Sequence, residues 1–194
     1  QLYESNEKGF SLNIKKKEEL SILKEGRYST FKNSKIKISS GATGFQAKLM
    51  IDYLSETQSE NSYPFTVSGC IDPYTVLDKD VPFMKNKYKH PFINNNDKKF
   101  SENKWNFWGN EKIVIAGMTK RIEAVYVKRP LALGVGIYAI HDYGQFDRYA
   151  LLGILNSKFM SYYLKNKFKG KELSGGYLAI NKSTLELLPT PNVN

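Results

Sequence analysis

Cysteine is nearly absent from this chain: Cys70 is the one thiol in 194 residues. No internal disulfide can form, which suits a reducing compartment. Histidine is almost as scarce. His90 and His141 stand far apart and have no second cysteine beside them, so no zinc-ligand spacing exists. No apolar run approaches the length of a membrane span, and no stretch reads as a secretory signal. The first residue is Gln1 rather than Met. The expectation is a cytoplasmic protein with no membrane partner, cut from a longer polypeptide.

Catalytic patterns are missing as well. No glycine-rich loop follows a strand with the spacing of a dinucleotide or phosphate-binding site. Gly41-Ala42-Thr43-Gly44 has the outline of a GXXG backbone clamp but lacks its flanking pattern, so a helix-start turn is the favoured reading. His141 and Asp142 are adjacent, and adjacent strand residues point to opposite faces, which makes them a poor dyad. A metal-dependent nuclease clusters carboxylates around Mg²⁺, whereas Asp97-Lys98-Lys99 lies in a polar loop without a second acidic partner. Asp72-Pro73-Tyr74 has one proline too few for the motif with which amino-methyltransferases grip a flipped base.

What the chain does have is positive charge and enough apolar residues, 41%, to fold. Lys and Arg number 29 against 19 Asp and Glu, a net charge of +10. The excess is uneven. Residues 40–80 hold 2 basic and 6 acidic residues, whereas residues 81–129 hold 11 basic and 4 acidic. Such a segment draws a protein towards polyanions, although a lysine-rich composition can equally be a solvated surface.

The hydrophobic pattern is mixed. Lys35 to Ile38 alternates with the period of a half-buried strand, and a turn then leads into a helix over about 44–55. Tyr63 to Ile71 is β-rich, and the prolines at 82 and 91 predict irregular or edge structure over 81–93. A short helix carries Trp105, Phe107 and Trp108. Three strands follow: 112–117, 122–127 and 131–140, the last with Gly134 and Gly136 marking a bulge or a close backbone approach. Asp147 caps a helix running to about Phe168, with Leu152, Leu155, Phe159, Tyr162 and Tyr163 on one apolar face. A short strand (177–180) and a short helix (183–188) precede the stop at Pro189 and Pro191. Residues 15–19 read as a solvated helix start or turn. The class predicted is α+β, a twisted and mostly antiparallel mixed sheet with packed helices.

Several blocks in order carry a resemblance. They are Ile-Val-Ile-Ala-Gly-Met-Thr-Lys-Arg-Ile-Glu-Ala at 113–124, Leu-Leu-Gly-Ile-Leu-Asn-Ser-Lys-Phe-Met-Ser-Tyr-Tyr at 151–163, Ser-Gly-Gly-Tyr-Leu-Ala-Ile-Asn at 174–181 and Leu-Glu-Leu-Leu-Pro at 185–189. Upstream, residues 40–47 and 67–74 add earlier blocks. This succession resembles the TaqI-like C-terminal specificity domain of Type IIG restriction–modification enzymes and their adenine-specific DNA methyltransferase relatives. The later blocks also look like Type I specificity subunits.

The resemblance implies a target-recognition domain over 38–190, with 1–37 as a lead-in from an upstream domain. It implies a bacterial origin, double-stranded DNA as partner, and linked methyltransferase and endonuclease domains that carry all the catalysis. S-adenosylmethionine and Mg²⁺ belong to those domains, and no cofactor is expected here. Family members often have Arg where this chain has Ala179. The expected contacts are Lys120, Arg121, Lys128 and Arg129 with Lys85, Lys87 and Lys89 on one basic face, Arg121 and Arg129 being the candidates to read guanine. Lys165, Lys167, Lys169 and Lys171 form a second candidate cluster for the phosphate backbone. Tyr88, Trp105 and Trp108 either support or stack. The rivals are a module of a Type I specificity subunit, a nuclease or methyltransferase fragment with an unrecognised site, and a protein-interaction module.

Overall fold

The computed structural model describes residues 4–6, 9–11, 27–168 and 172–192. The expected helix start at 15–19 lies outside them. Two short strands, Glu4–Asn6 (β1) and Gly9–Ser11 (β2), pair with each other. The rest is organised by one strand. In chain order come Tyr28–Thr30 (β3), Lys37–Ser40 (β4), helix Gly44–Tyr53 (α1), Leu54–Ser55 (β5) and Ser62–Thr66 (β6). The hairpins Ile71–Asp72 (β7) with Thr75–Val76 (β8) and Val81–Phe83 (β9) with Asn86–Tyr88 (β10) follow. Then come Phe92–Asn94 (β11), helix Glu102–Gly109 (α2), Lys112–Ala116 (β12), Met118–Thr119 (β13), Ala124–Val127 (β14), Ala132–Leu133 (β15) and Ile137–Asp142 (β16). Helices Arg148–Leu155 (α3) and Lys158–Lys167 (α4) lead to Glu172–Leu173 (β17), Tyr177–Ala179 (β18), helix Lys182–Glu186 (α5) and Pro189–Pro191 (β19).

The central antiparallel sheet has the order β14-β12-β16-β4. All five residues of β12 are buried. Alternation sends Ile113 and Ile115 into one apolar cluster, with Ile38, Ile140, Leu151 and Leu155. Val114 and Ala116 enter the other, with Val125, Ala139, Trp108 and Met50. Helices α3 to α5 contribute to the first cluster, while α1, α2 and a second sheet, β15-β6-β11-β5, contribute to the second. This is an α+β fold of mostly antiparallel sheet, as the pattern predicts. Among the named strands of the described residues, β15 and β6 alone pair in parallel.

Three expectations fail locally. The single strand over 131–140 is two: β15 joins the second sheet, and Gly136, at φ 76°, turns the chain into β16 in the first. The glycines do mark close approach, because a Cβ on Gly117 would lie 2.2 Å from the Gly136 oxygen. The single helix over 148–168 is broken at Asn156. There the side-chain amide donates to the Ala124 oxygen and accepts from the Ala124 N–H, both at 2.9 Å, as a strand would. Ser157 caps a new helix by accepting from the Met160 N–H. The break shifts the phase, so Met160 and Leu164 are buried while Phe159 and Tyr162 face outward. Finally, Pro189 and Pro191 do not merely stop the chain. They flank Thr190 in a ribbon paired with β3, where a missing N–H is tolerated at a sheet edge.

Asn156→Ala removes both bonds to Ala124 and leaves a partly buried main-chain pair unsatisfied. It should cost about 2 kcal/mol in denaturant unfolding. A cost close to zero would mean that water replaces the amide.

Candidate nucleic-acid interface

The two ends of the central sheet differ. At one end β4 exits through Gly41 and Ala42, β16 enters from Gly136, and β12 exits through Gly117. A string of bonds makes these turns one rim. Ala42 bridges Val135, the Gly117 N–H donates to the Gly136 oxygen at 2.8 Å, and Ser68 Oγ accepts from Gly117 at 3.1 Å and Met118 at 3.3 Å. Beyond Gly117, the Ile180 N–H donates to the Gly117 oxygen and β13 pairs with β18.

Lys120 and Arg121 lie on this rim. Lys120 places its ammonium 5.3 Å from the Tyr177 ring centre. Arg121 is held between two carboxylates, with Nη2 3.2 Å from Asp72 and Nε 3.5 Å from Glu123. The Ser68–Cys70 turn connects this corner to the β9–β10 hairpin. Gly69 lines a depression of about 500 Å³ with Lys79, Asp80, Pro82 and Lys87. Lys87 pairs with Asp80 at 2.7 Å, and that ammonium holds the Asp80 carboxyl below the usual carboxylate range. Lys85 and Lys89 are exposed on the same hairpin. Among the described residues no carboxylate pairs with the ammonium of Lys85, Lys89 or Lys120. Sequence patterning gave no sign of Lys79, which sits in an acidic stretch, nor of the exposed Phe45, Tyr74 and Met118 around the rim.

Lys128 and Arg129 do not belong to this rim. They follow the far end of β14, whose register pairs Val127 with Lys112 and Ala124 with Ile115. Roughly 20 Å of extended chain separates them from Arg121. The single basic face expected from the sequence is therefore two sites at opposite ends of the sheet, because an antiparallel hairpin sends a turn and a strand end in opposite directions. Lys165 and Lys167 lie on α4, in a third place, and Lys169 and Lys171 fall outside the described residues. Trp105 stacks on Tyr63 at 4.0 Å and Trp108 is buried with its indole N–H on the Gly41 oxygen, so both belong to the core. Tyr88 also packs against that cluster.

The far end holds other polar groups. Arg148 sits over the rings of Tyr126 and Tyr149 and pairs with Glu111 at 2.6 Å. Tyr126 donates to Glu111 and, with Arg148, holds that carboxyl below its ordinary range. Ser39 Oγ lies 3.0 Å from His141 Nε2, and burial disfavours the protonated imidazole. Asp142 turns instead to Lys37 at 2.9 Å. Among the described residues no three His, Cys, Asp or Glu side chains converge as a metal site. No described helix is long and apolar enough to cross a membrane.

Two lysines counted in the basic excess are consumed internally. Lys104 donates to the Ser40 and Gly41 oxygens. Lys112 is fully buried and donates at 2.7 Å to both Trp108 and Asn110, closing the end of α2.

The assembled features are a two-faced α+β core with cationic turns at one end of its sheet. The sequence matches the family described as the TaqI-like C-terminal specificity domain over residues 77–190. That is more than half of the chain, and the chain belongs to this family. The fold is similar to part of the crystal structure of the type IIG restriction endonuclease BpuSI, with a TM-score of 0.58 and 14% identity. The alignment covers 90% of this chain and 25% of that one, so this chain spans about a quarter of the length of BpuSI. No curated protein matches the sequence.

Burial without a carboxylate pushes the Lys112 ammonium down to about 8. Below pH 8 it is charged in both the folded and the unfolded chain, and the folded state bears the full penalty, on the order of 3 kcal/mol. As pH rises from 8 towards 10.4 the folded chain loses this proton first, so stability rises. Lys112→Met removes that dependence. Denaturant unfolding at pH 7.5 and 10.5 should show the wild type gaining on the variant at the higher pH. Equal gains in both proteins would show that Lys112 is not held as described.

Proposed function

We propose that this chain recognises a target sequence in double-stranded DNA and positions a linked methyltransferase and endonuclease in bacterial restriction–modification. The family supports the role of specificity. The observation that supports the assignment to a surface is the rim itself, where Lys79 and Lys87 line a depression with Gly69 and where Ser68 holds the turn that leads to Lys120 and Arg121; Lys85 and Lys89 are exposed on the adjoining hairpin. Lysines there neutralise phosphates, which gives affinity without sequence information, and Arg121 meets a base edge. Lys128, Arg129 and the α4 lysines Lys165 and Lys167 lie elsewhere and make secondary backbone contacts, a role also proposed for Lys169, which lies outside the described residues. The chemistry on the base belongs to the linked domains, where S-adenosylmethionine and Mg²⁺ act, and this domain needs neither.

With ~6 phosphate contacts, log affinity should fall against log salt with a slope near −5. Lys120→Ala with Arg121→Ala should weaken binding of a labelled duplex at least about tenfold and flatten the slope by about 2. Lys128→Ala with Arg129→Ala should do distinctly less. Fluorescence anisotropy across a salt series reads both. Equal losses from the two pairs would reject the rim as the principal contact, and turnover of DNA by this chain alone would favour a catalytic fragment.

Asp72→Asn supplies a test of opposite sign. It removes a negative charge from the rim and releases Arg121, so affinity should rise a few-fold at low salt. A fall in affinity would mean that Asp72 orients Arg121 rather than competing for it.

A further inference from the structure

Three glycines in the described residues have no internal reason to be glycine. Gly44, Gly69 and Gly153 keep φ outside the left-handed region, and a Cβ built on any of them meets nothing within 4 Å. The others differ. Gly41, Gly109, Gly117 and Gly134 would drive a Cβ to 3.0 Å or less from a neighbour, and Gly136, Gly144, Gly175 and Gly176 need positive φ. A glycine that neither packing nor conformation requires still carries the entropic disadvantage of glycine, and close approach of another molecule to the main chain is one physical use for it, which its position on the molecule decides.

Two of these three lie on the rim. Gly44 is exposed at the first position of α1, three residues from the Gly41–Ala42 exit of β4. Gly69 is exposed in the turn whose Ser68 hydroxyl holds Gly117 and Met118, and it lines the depression that carries Lys79 and Lys87. Phe45, 92% exposed, and Met118, 59% exposed, stand on the same rim. Gly153 lies on α3, which packs on the opposite face of the sheet.

We infer that Gly44 and Gly69 are bare so that the sugar–phosphate backbone of DNA passes directly against the main chain at these two turns. This rests on the DNA-binding role proposed above and adds the place and manner of closest approach. At Gly69, Lys79 supplies the countercharge for a phosphate, and Lys87 adds to it where a phosphate displaces the Asp80 carboxylate that lines the same depression. At Gly44 the adjacent Phe45 ring lies against the groove wall, as apolar side chains do where a protein presses on a duplex.

The test uses Gly44→Ala and Gly69→Ala singly, with Gly153→Ala as the control. Since each Cβ enters open space, all three should melt at or above the wild-type temperature. Binding is read by anisotropy with a random-sequence labelled duplex at about 50 mM salt, where backbone contacts dominate. Gly44→Ala and Gly69→Ala should each weaken binding about tenfold through steric overlap with the duplex, with Gly153→Ala unchanged. Undiminished binding by either rim variant, while Lys120→Ala with Arg121→Ala still loses affinity, overturns this inference and leaves the DNA-binding role standing. No binding by the wild type overturns both.

Discussion

Burial of β12 on both faces is the constraint from which the rest of the structure follows. A strand whose five residues are all inaccessible demands cover on each side of its sheet. Helices α3 to α5 supply one cover; α1, α2 and the second sheet supply the other. Neither face of the central sheet is then available to a ligand. The main chain reaches outward at the strand ends, and the turns there are where a partner can meet it. That is the physical reason to look for function on a rim of turns rather than on a sheet face.

The same constraint explains what was legible in the sequence. Ile-Val-Ile-Ala at 113–116 is a continuous apolar run, and such a run needs two covers, so the mixed class could be read from it. The strand expected at 35–38 falls two residues later, at 37–40, and the one expected at 122–127 shortens to 124–127, while helix α1 and the Asp147 cap follow local rules. The failures came where a side chain far along the chain decides a local matter. Nothing between 148 and 168 announces that Asn156 will leave the helix to complete a strand bond with Ala124. Nothing around Leu133 announces that β15 pairs with Phe65 and Thr66 while β16 pairs with β12.

The candidate site was legible in composition but not in geometry. The segment 81–129 does supply the hairpin and turn cations of the rim. Its charge also overstates the field outside the molecule, because Lys104 and Lys112 spend their donors on main-chain carbonyls and Lys87 and Arg121 face carboxylates. Lys128 and Arg129 are near Arg121 in sequence, but the length of β14 places them at the opposite end of the sheet. Hairpin geometry, which alternates ends with every strand, cannot be read from charge counts.

Arg121 combines ion pairing with donors left for a ligand in the proposed role. Its guanidinium offers five N–H donors, of which one on Nη2 donates to Asp72, while Glu123 faces Nε as an ion pair at 3.5 Å. Both hydrogens on Nη1 and the second on Nη2 remain, so the edge that matches guanine O6 and N7 is still on offer. The two carboxylates reduce the net charge of the rim and with it the long-range attraction to phosphate. They compete with a ligand for the guanidinium, and because the side chain is 60% exposed the two pairs hold it only weakly. Lys120 beside it, which no described carboxylate engages and which lies over the Tyr177 ring, has the complementary character of a point charge suited to phosphate. In the proposed role, affinity resides in the rim lysines that no described carboxylate engages, and discrimination in Arg121, whose planar fork matches a base edge.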